Sequence, residues 1–291
     1  MAFIAVRLYK YRSELQDIWN AKVLTVMLLA AVVCGALVII SAKCFHLLTL
    51  AVTGKDIKAS LVIPLYVKSN LYKYLPGNIM HYVGRNQIAV ESEATHPQIV
   101  LCTMTEMAVS CIAGLSAGLL LSFGFVRDWI SRHDHRLLWL IVGAAVIVIA
   151  ACIILMITDN KLSARIRQVI NRRNLALITG ILLYNIANQI TQGLMFVALL
   201  KVMGAAIAPG SYLSVAGVYA FAWLIGFITP GSPGGLGVRE AMLSVFLGST
   251  VSPGLISAAA ILNRIITITG DIIAFAAVSI FMRMRKSDTS S

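Results

Sequence analysis

A chain of 291 residues that is 59% hydrophobic and 12% charged, with a mean hydropathy of +0.86, is not a soluble globular domain, because such domains carry about 25% charged residues. Its apolar runs reach the ~20 residues that span a bilayer. Its polar connections are too short for a separate soluble catalytic domain of about 100–150 residues, which excludes most enzyme classes. The formal charge of +12 sits mainly in loops beside apolar runs, the pattern that orients a membrane protein. Such charge also attracts anionic lipid head groups. Nucleic acid is not an expected partner, since no basic stripe is interleaved with aromatics as single-strand binding requires.

Residues 1–22 carry charges throughout and do not read as a cleavable signal peptide. Ile4, Leu8, Tyr11, Leu15 and Ile18 recur at helical spacing, with Arg7, Lys10, Arg12, Glu14 and Asp17 mostly off that stripe. The pattern predicts an interfacial amphipathic helix with Trp19 at the head-group level, or a solvated helix packed on the domain. A single transmembrane domain is expected over 23–282 and a basic, polar tail over 283–291. The first clear span is 24–41, and 45–67 reads as a second, poorly formed crossing broken by Lys55, Asp56, Lys58 and Pro64. A polar connection over 86–98 precedes spans at 99–125, 137–158, 175–200 and 212–229. A short helix over 241–247 and a last span over 254–282 follow, the latter stopped by Arg283, Arg285 and Lys286.

The basic loop 159–173 and both basic termini favour the cytoplasmic side. That needs an even number of crossings on each side of the loop, and 230–248 is short and broken for one. The fold expected is an all-α polytopic membrane protein with about seven or eight transmembrane segments, two of them Gly/Pro-broken or re-entrant.

Two stretches interrupt the apolar pattern. One is Lys73-Tyr74-Leu75-Pro76-Gly77-Asn78-Ile79-Met80-His81-Tyr82-Val83-Gly84-Arg85, and the other runs from Thr229 through Gly231, Gly234, Gly235 and Gly237 to Arg239 and Glu240. Proline and glycine cannot propagate a regular helix. A broken helix at membrane depth is tolerated only where protein or a wet cavity surrounds it. Pro76-Gly77 precedes Arg85 at the spacing by which Pro230-Gly231 precedes Arg239. The offset that aligns them also lays 24–41 over 175–200 and 99–125 over 254–282. Paired interruptions in corresponding halves point to a transporter's binding site; chance is the competing explanation, since five of the seven prolines precede glycine.

The two motifs together resemble those of the lysylphosphatidylglycerol synthase transmembrane-region family. Pro233 to Glu240 matches its Pro-Gly-Gly-Leu-Gly-Val-Arg-Glu element, and Asn70 to Gly77 is similar to its looser Asn-x-x-x-x-Leu-Pro-Gly-like element. The resemblance implies a flippase-like domain of the bacterial inner (cytoplasmic) membrane. It would translocate an anionic lipid or polyprenyl-phosphate-linked intermediate in envelope or polysaccharide assembly. A glycosyltransferase or synthase is the partner it implies, and the aminoacyl-transferase activity of larger members is not carried over. An intramembrane polyprenyl-pyrophosphate phosphatase and a scaffold for a glycan-assembly complex are the other readings.

A guanidinium grips phosphate through two parallel hydrogen bonds. Arg85 and Arg239 are therefore expected to share one lipid phosphate, with Lys73, Asn78, His81, Gly234, Gly235, Gly237 and Arg264 as further substrate-binding candidates. The glycines would let backbone approach the ligand. Glu106, Glu240 and Asp271 are candidates for proton coupling or for structural ion pairs, since an intramembrane carboxylate serves one or the other. Arg264 and Asp271 lie seven apart, on nearly one helix face. Asn185, Asn188, Gln189 and Gln192 form a polar stripe, which is more often interhelical glue than a substrate path. Cys34, Cys44, Cys102, Cys111 and Cys152 read as apolar fillers. No metal, cofactor or catalytic residue is expected.

Overall fold

In the computed structural model the described residues are 20–74, 80–132, 172–229, 235 and 237–288. The expected amphipathic helix, the span at 137–158, nearly all of the basic loop, Asn78 and Gly234 lie outside them. Every regular element among the described residues is helical. In chain order they are α1 (Ala21–Thr53), α2 (Ala59–Leu71), a 3-10 turn (Tyr72–Tyr74), α3 (Met80–Arg85) and α4 (Gln87–Glu91). There follow α5 (His96–Arg132), α6 (Arg172–Val202), a 3-10 turn (Pro209–Ser211), α7 (Tyr212–Ile228), α8 (Val238–Leu247) and α9 (Pro253–Asp288). Among the described residues, four helices are long and apolar enough to cross a membrane: Ala21–Thr53, His96–Phe125, Pro209–Ile228 and Pro253–Arg285. α6 matches them in length with 31 residues, but its asparagines and glutamines dilute the apolar character.

α1 begins where Asn20 Oδ1 accepts the Val23 N–H at 2.9 Å, satisfying a donor that the helix start leaves unpaired. It ends at Gly54, whose φ of +67° closes the helix with its N–H on the Leu50 carbonyl. That left-handed turn divides the expected crossing over 45–67. Residues 45–53 complete the first helix, and α2, with 13 residues, falls short of the ~20 that a crossing takes. The last helix also runs on through Arg283, Arg285 and Lys286 to Asp288, so the basic residues end the apolar run and not the helix. Asn20→Ala is expected to lower stability by about 0.5–2 kcal/mol, and Asn20→Asp to retain it; thermal unfolding in detergent measures both.

α7 packs on α5 and α6, α9 on α1 and α2, and α6 touches α1, α5, α7 and α9. Two buried clusters result. One joins the start of α1 to the end of α6, to α7, α8 and the start of α9, around Phe196, Tyr219, Leu243 and Ile266. The other joins the end of α1 to α2 and the start of α5, around Phe45, Val62, Ile88 and Ile99. Large apolar side chains remain outward on the long helices, among them Leu28, Leu29, Leu120, Phe123, Ile280 and Phe281. In water such surface would be costly to expose; against acyl chains it is not.

Candidate anion site and buried ion pairs

The segment before the first break is tied to the last helix. Asp271 on α9, 2% exposed, accepts from Asn70 Nδ2 at 2.7 Å and from the Tyr74 hydroxyl, and pairs with Lys73 Nζ at 2.6 Å. Three donors from one short stretch thus converge on one carboxylate, which offsets the cost of burying it. Lys73 is accordingly an ion-pair partner of Asp271. Asn70 and Tyr74 belong to the first motif, Asn70 as the leading residue of its Asn-x-x-x-x-Leu-Pro-Gly-like element, but were not among the substrate-binding candidates.

Arg85 has its own carboxylate. It is 4% exposed and ion-paired with Glu106 on α5, whose other oxygen accepts from the Tyr66 hydroxyl at 2.6 Å. The guanidinium carbon lies 4.2 Å from the Tyr66 ring centroid, 5.1 Å from Phe45 and 5.6 Å from Tyr82, so aromatic faces replace the water it loses. The His81 ring lies against that of Tyr82, with centroids 3.7 Å apart and the planes tilted by 42°. Of the two uses weighed for Glu106, this geometry provides the ion pair. Glu106 also borders a cavity of about 10 Å³ with Ser41, Tyr184 and Asn185, room for about one water.

The second motif meets α9 as well. Gly237 precedes α8 with a φ of +83°, and its N–H donates to Glu240 Oε2 at 2.6 Å. Glu240 therefore caps its own helix start, where a carboxylate also complements the helix dipole. Arg239, one position before it, faces Tyr219 with 5.9 Å to the ring centroid. Its Nε is buried without a hydrogen-bond partner. Arg264 on α9 has Arg239, Glu240, Tyr74 and Tyr219 as electrostatic neighbours. The adjacent Asn263 donates from Nδ2 to the Tyr219 hydroxyl at 2.9 Å. Its Oδ1 is buried and unpartnered. Tyr219 and Asn263 carried no signal in the sequence: one lies in an apolar run, the other reads as a lone polar residue.

The glycines act within the protein. An added Cβ at Gly235, where φ is +76°, would lie 3.1 Å from Gly226 Cα on α7. The close approach expected toward a ligand is made there to a neighbouring helix. At Gly237 a Cβ would meet nothing within 4 Å, so only its positive φ favours glycine.

Arg85 and Arg239 therefore have different partners. On α9, Asp271 holds the first motif and Arg264 is an electrostatic neighbour of the second, on the nearly shared face that their seven-residue spacing foreshadowed. On α6, Asn185 Oδ1 accepts from Ser110 at 3.2 Å, Gln192 Oε1 from the Cys34 thiol at 3.7 Å, and the Tyr184 hydroxyl donates to the Leu37 carbonyl at 2.6 Å. These bonds join helices as the glue reading has it. Among the described residues no cluster of His, Cys, Asp or Glu is set to hold a metal. Compared with known protein families and with curated proteins, the chain finds no match.

Proposed function

We propose that this chain is a multi-pass, flippase-like transporter of the inner (cytoplasmic) membrane. It would move an anionic lipid or polyprenyl-phosphate-linked intermediate for envelope or polysaccharide assembly, as the resemblance to lysylphosphatidylglycerol synthase transmembrane regions implies. The observation that carries this reading is Arg239 at the start of α8, whose Nε is buried without a hydrogen-bond partner, with Arg264 as an electrostatic neighbour. Two guanidinium ions in a poorly solvated interior repel. The nearby Glu240 is already bonded to the Gly237 N–H, and Arg239 Nε still lacks an acceptor. A phosphate oxygen supplies charge and acceptor together.

The pairing of elements supports an internal repeat. A long helix, a shorter helix, a break and a closing long helix occur in that order before and after the stretch between α5 and α6, with the two short helices α3 and α4 after the first break and the one short helix α8 after the second. Helix contacts recur correspondingly: α1 with α2 and α6 with α7, α1 with α9 and α6 with α5, α2 with α9 and α7 with α5. Four apolar helices, α6, the run at 137–158 and the two broken segments make up the seven or eight segments of this reading. A phosphatase reading has no observation of its own, because His81 lies with Tyr82 and Arg85 rather than with Arg239 and Arg264.

Reconstituted vesicles containing fluorescently tagged phosphatidylglycerol test the proposal, with a membrane-impermeant reductant reporting the outer leaflet. The protein should accelerate loss of the protected fraction over empty vesicles. Arg239→Ala should abolish the acceleration, and Arg239→Lys should restore part of it, since an ammonium keeps the charge but not the planar fork. No acceleration with either tagged phosphatidylglycerol or a tagged polyprenyl phosphate, or acceleration unchanged in Arg239→Ala, would overturn it.

A further inference from the structure

We infer that the two halves of the chain are inverted repeats, and that the two broken segments are hairpins entering the bundle from opposite membrane faces, one for each side. The directions of the long helices carry the inference. On α1 and α6, the Cys34 thiol donates to Gln192, Leu37 and Ser41 bond to Tyr184, and the Ala51 carbonyl accepts from Asn174. Numbers rise on one helix as they fall on the other, so the two are antiparallel. α5 also runs against α1: its Cys102 thiol donates to the Leu48 carbonyl, and its Glu106 shares a cavity with Cys44 and Phe45. α9 runs with α1. Gly270 packs on Ala31 and Cys34, Ile256 to Ile266 join the cluster at the start of α1, and Ala274 joins the one at its end.

The first broken segment leaves and rejoins the bundle where α1 ends. Lys55, just past α1, donates to the Glu93 carbonyl, just before α5. Between them the chain goes inward and returns. Tyr66 packs on Phe45, Asn70 and Lys73 reach Asp271 at the middle of α9, and Arg85 comes back to Phe45 and Glu106. The second segment does the same from the opposite end, where α1 starts. Lys201, late in α6, bonds to Tyr212 at the start of α7. α7 runs inward to the contact of Gly226 with Gly235. α8 returns beside it, with Arg239 opposite Gly226 and Phe246 edge-on to Phe221, and Leu247 closes on the cluster that holds Val23 and Met203. α5 therefore ends, and α6 starts, at opposite ends of the bundle. The sequence between them holds the apolar run at 137–158, of the ~20-residue length that a crossing takes. The start of α1 and the end of α9 then face opposite sides, against the expectation that both chain ends are cytoplasmic. On the transporter reading proposed above, which the inference deepens, a hairpin on each face gives an entrance and an exit of like build, as inverted repeats around a central site do. The offset that carries Arg85 onto Arg239 carries Glu106 onto Ala260, so the second half lacks the carboxylate that neutralises the first half's arginine.

Single cysteines in the full-length protein, with the five native cysteines replaced by alanine, test the arrangement. The positions are Ala21, Asp56, Glu93, Ala208, Ser249 and Arg283, all exposed. A membrane-impermeant maleimide applied to intact cells should label one of two sets: Asp56→Cys, Glu93→Cys and Arg283→Cys, or Ala21→Cys, Ala208→Cys and Ser249→Cys. The remaining three should react only after the cells are opened. Where a variant does not accumulate, the exposed neighbours Lys58, Glu91, Ala206 and Thr250 take its place.

Asp56→Cys and Glu93→Cys on opposite sides would make the first motif a crossing, and Ala208→Cys and Ser249→Cys on opposite sides would make the second one. All four on one side would remove the inversion. Any of these patterns overturns the inference while leaving a lipid transporter standing. The expected pattern in a protein that moves no lipid would retain the inverted halves and remove the transporter reading.

Discussion

Arg85→Ala is expected to destabilise the protein by about 3–5 kcal/mol, the usual cost of removing one member of a buried ion pair. Glu106 would keep only the Tyr66 hydroxyl as a partner for its charge. The aromatic surround of Tyr66, Phe45 and Tyr82 would face a void where a guanidinium had been. Replacing both members with apolar groups, as in Arg85→Met with Glu106→Leu, should recover much of the loss, because neither charge is then buried alone. Unfolding in detergent across the parent, the two single variants and the double variant gives the coupling energy directly. Additive losses, or an Arg85→Ala protein as stable as the parent but unable to bind anionic lipid, would return Arg85 to the substrate site that its spacing from Pro76-Gly77 suggested.

Gly235→Val should prevent the second break from packing. A valine at φ +76° is strained by about 1–2 kcal/mol before any contact is considered. Its Cβ would then lie within 3.2 Å of the Gly226 backbone, where α7 cannot give way without disturbing its contacts with α5 and α6. The expected result is a severe loss of thermal stability and a poorly monodisperse protein. Gly237→Ala should show only the conformational penalty, since no atom lies within 4 Å of the position its methyl would take. Equal losses at the two glycines would remove the close-approach argument. Gly226→Ala combined with Gly235→Ala should fall short of the sum of the singles, because both methyls enter one contact.

The charge placements follow from what a linear pattern can and cannot express. Arg264 and Asp271 share a face because seven residues nearly complete two helical turns, and that was readable before any fold was known. So were the long apolar helices, whose composition alone makes them stable away from water, and the short helix after the second break, announced by glycines followed by Val238, Arg239 and Glu240. The left-handed cap at Gly54 was not legible, because a single glycine between Thr53 and Lys55 is compatible with a kink, a loop or a stop. Only the fold chose the stop and thereby divided residues 45–67.

Partner choice was beyond the sequence for a different reason. Arg85, Arg239 and Arg264 are the same residue type, and Glu106, Glu240 and Asp271 offer them similar carboxyl chemistry; nothing local matches one to another. Packing of α3 against α2, and of α2 and α5 against α1, brings Arg85 to Glu106. The crossing of α2 with α9 gives Lys73 to Asp271, and the start of α8 retains Glu240 for its own backbone. Arg239 keeps a buried Nε without a hydrogen-bond partner and has Arg264, far off in the chain, as an electrostatic neighbour. The sequence by itself determined which segments are apolar and that helices start anew after the two Gly/Pro-rich stretches. The tertiary structure decided which charges cancel, because ion pairing requires proximity in space that neither composition nor periodicity encodes.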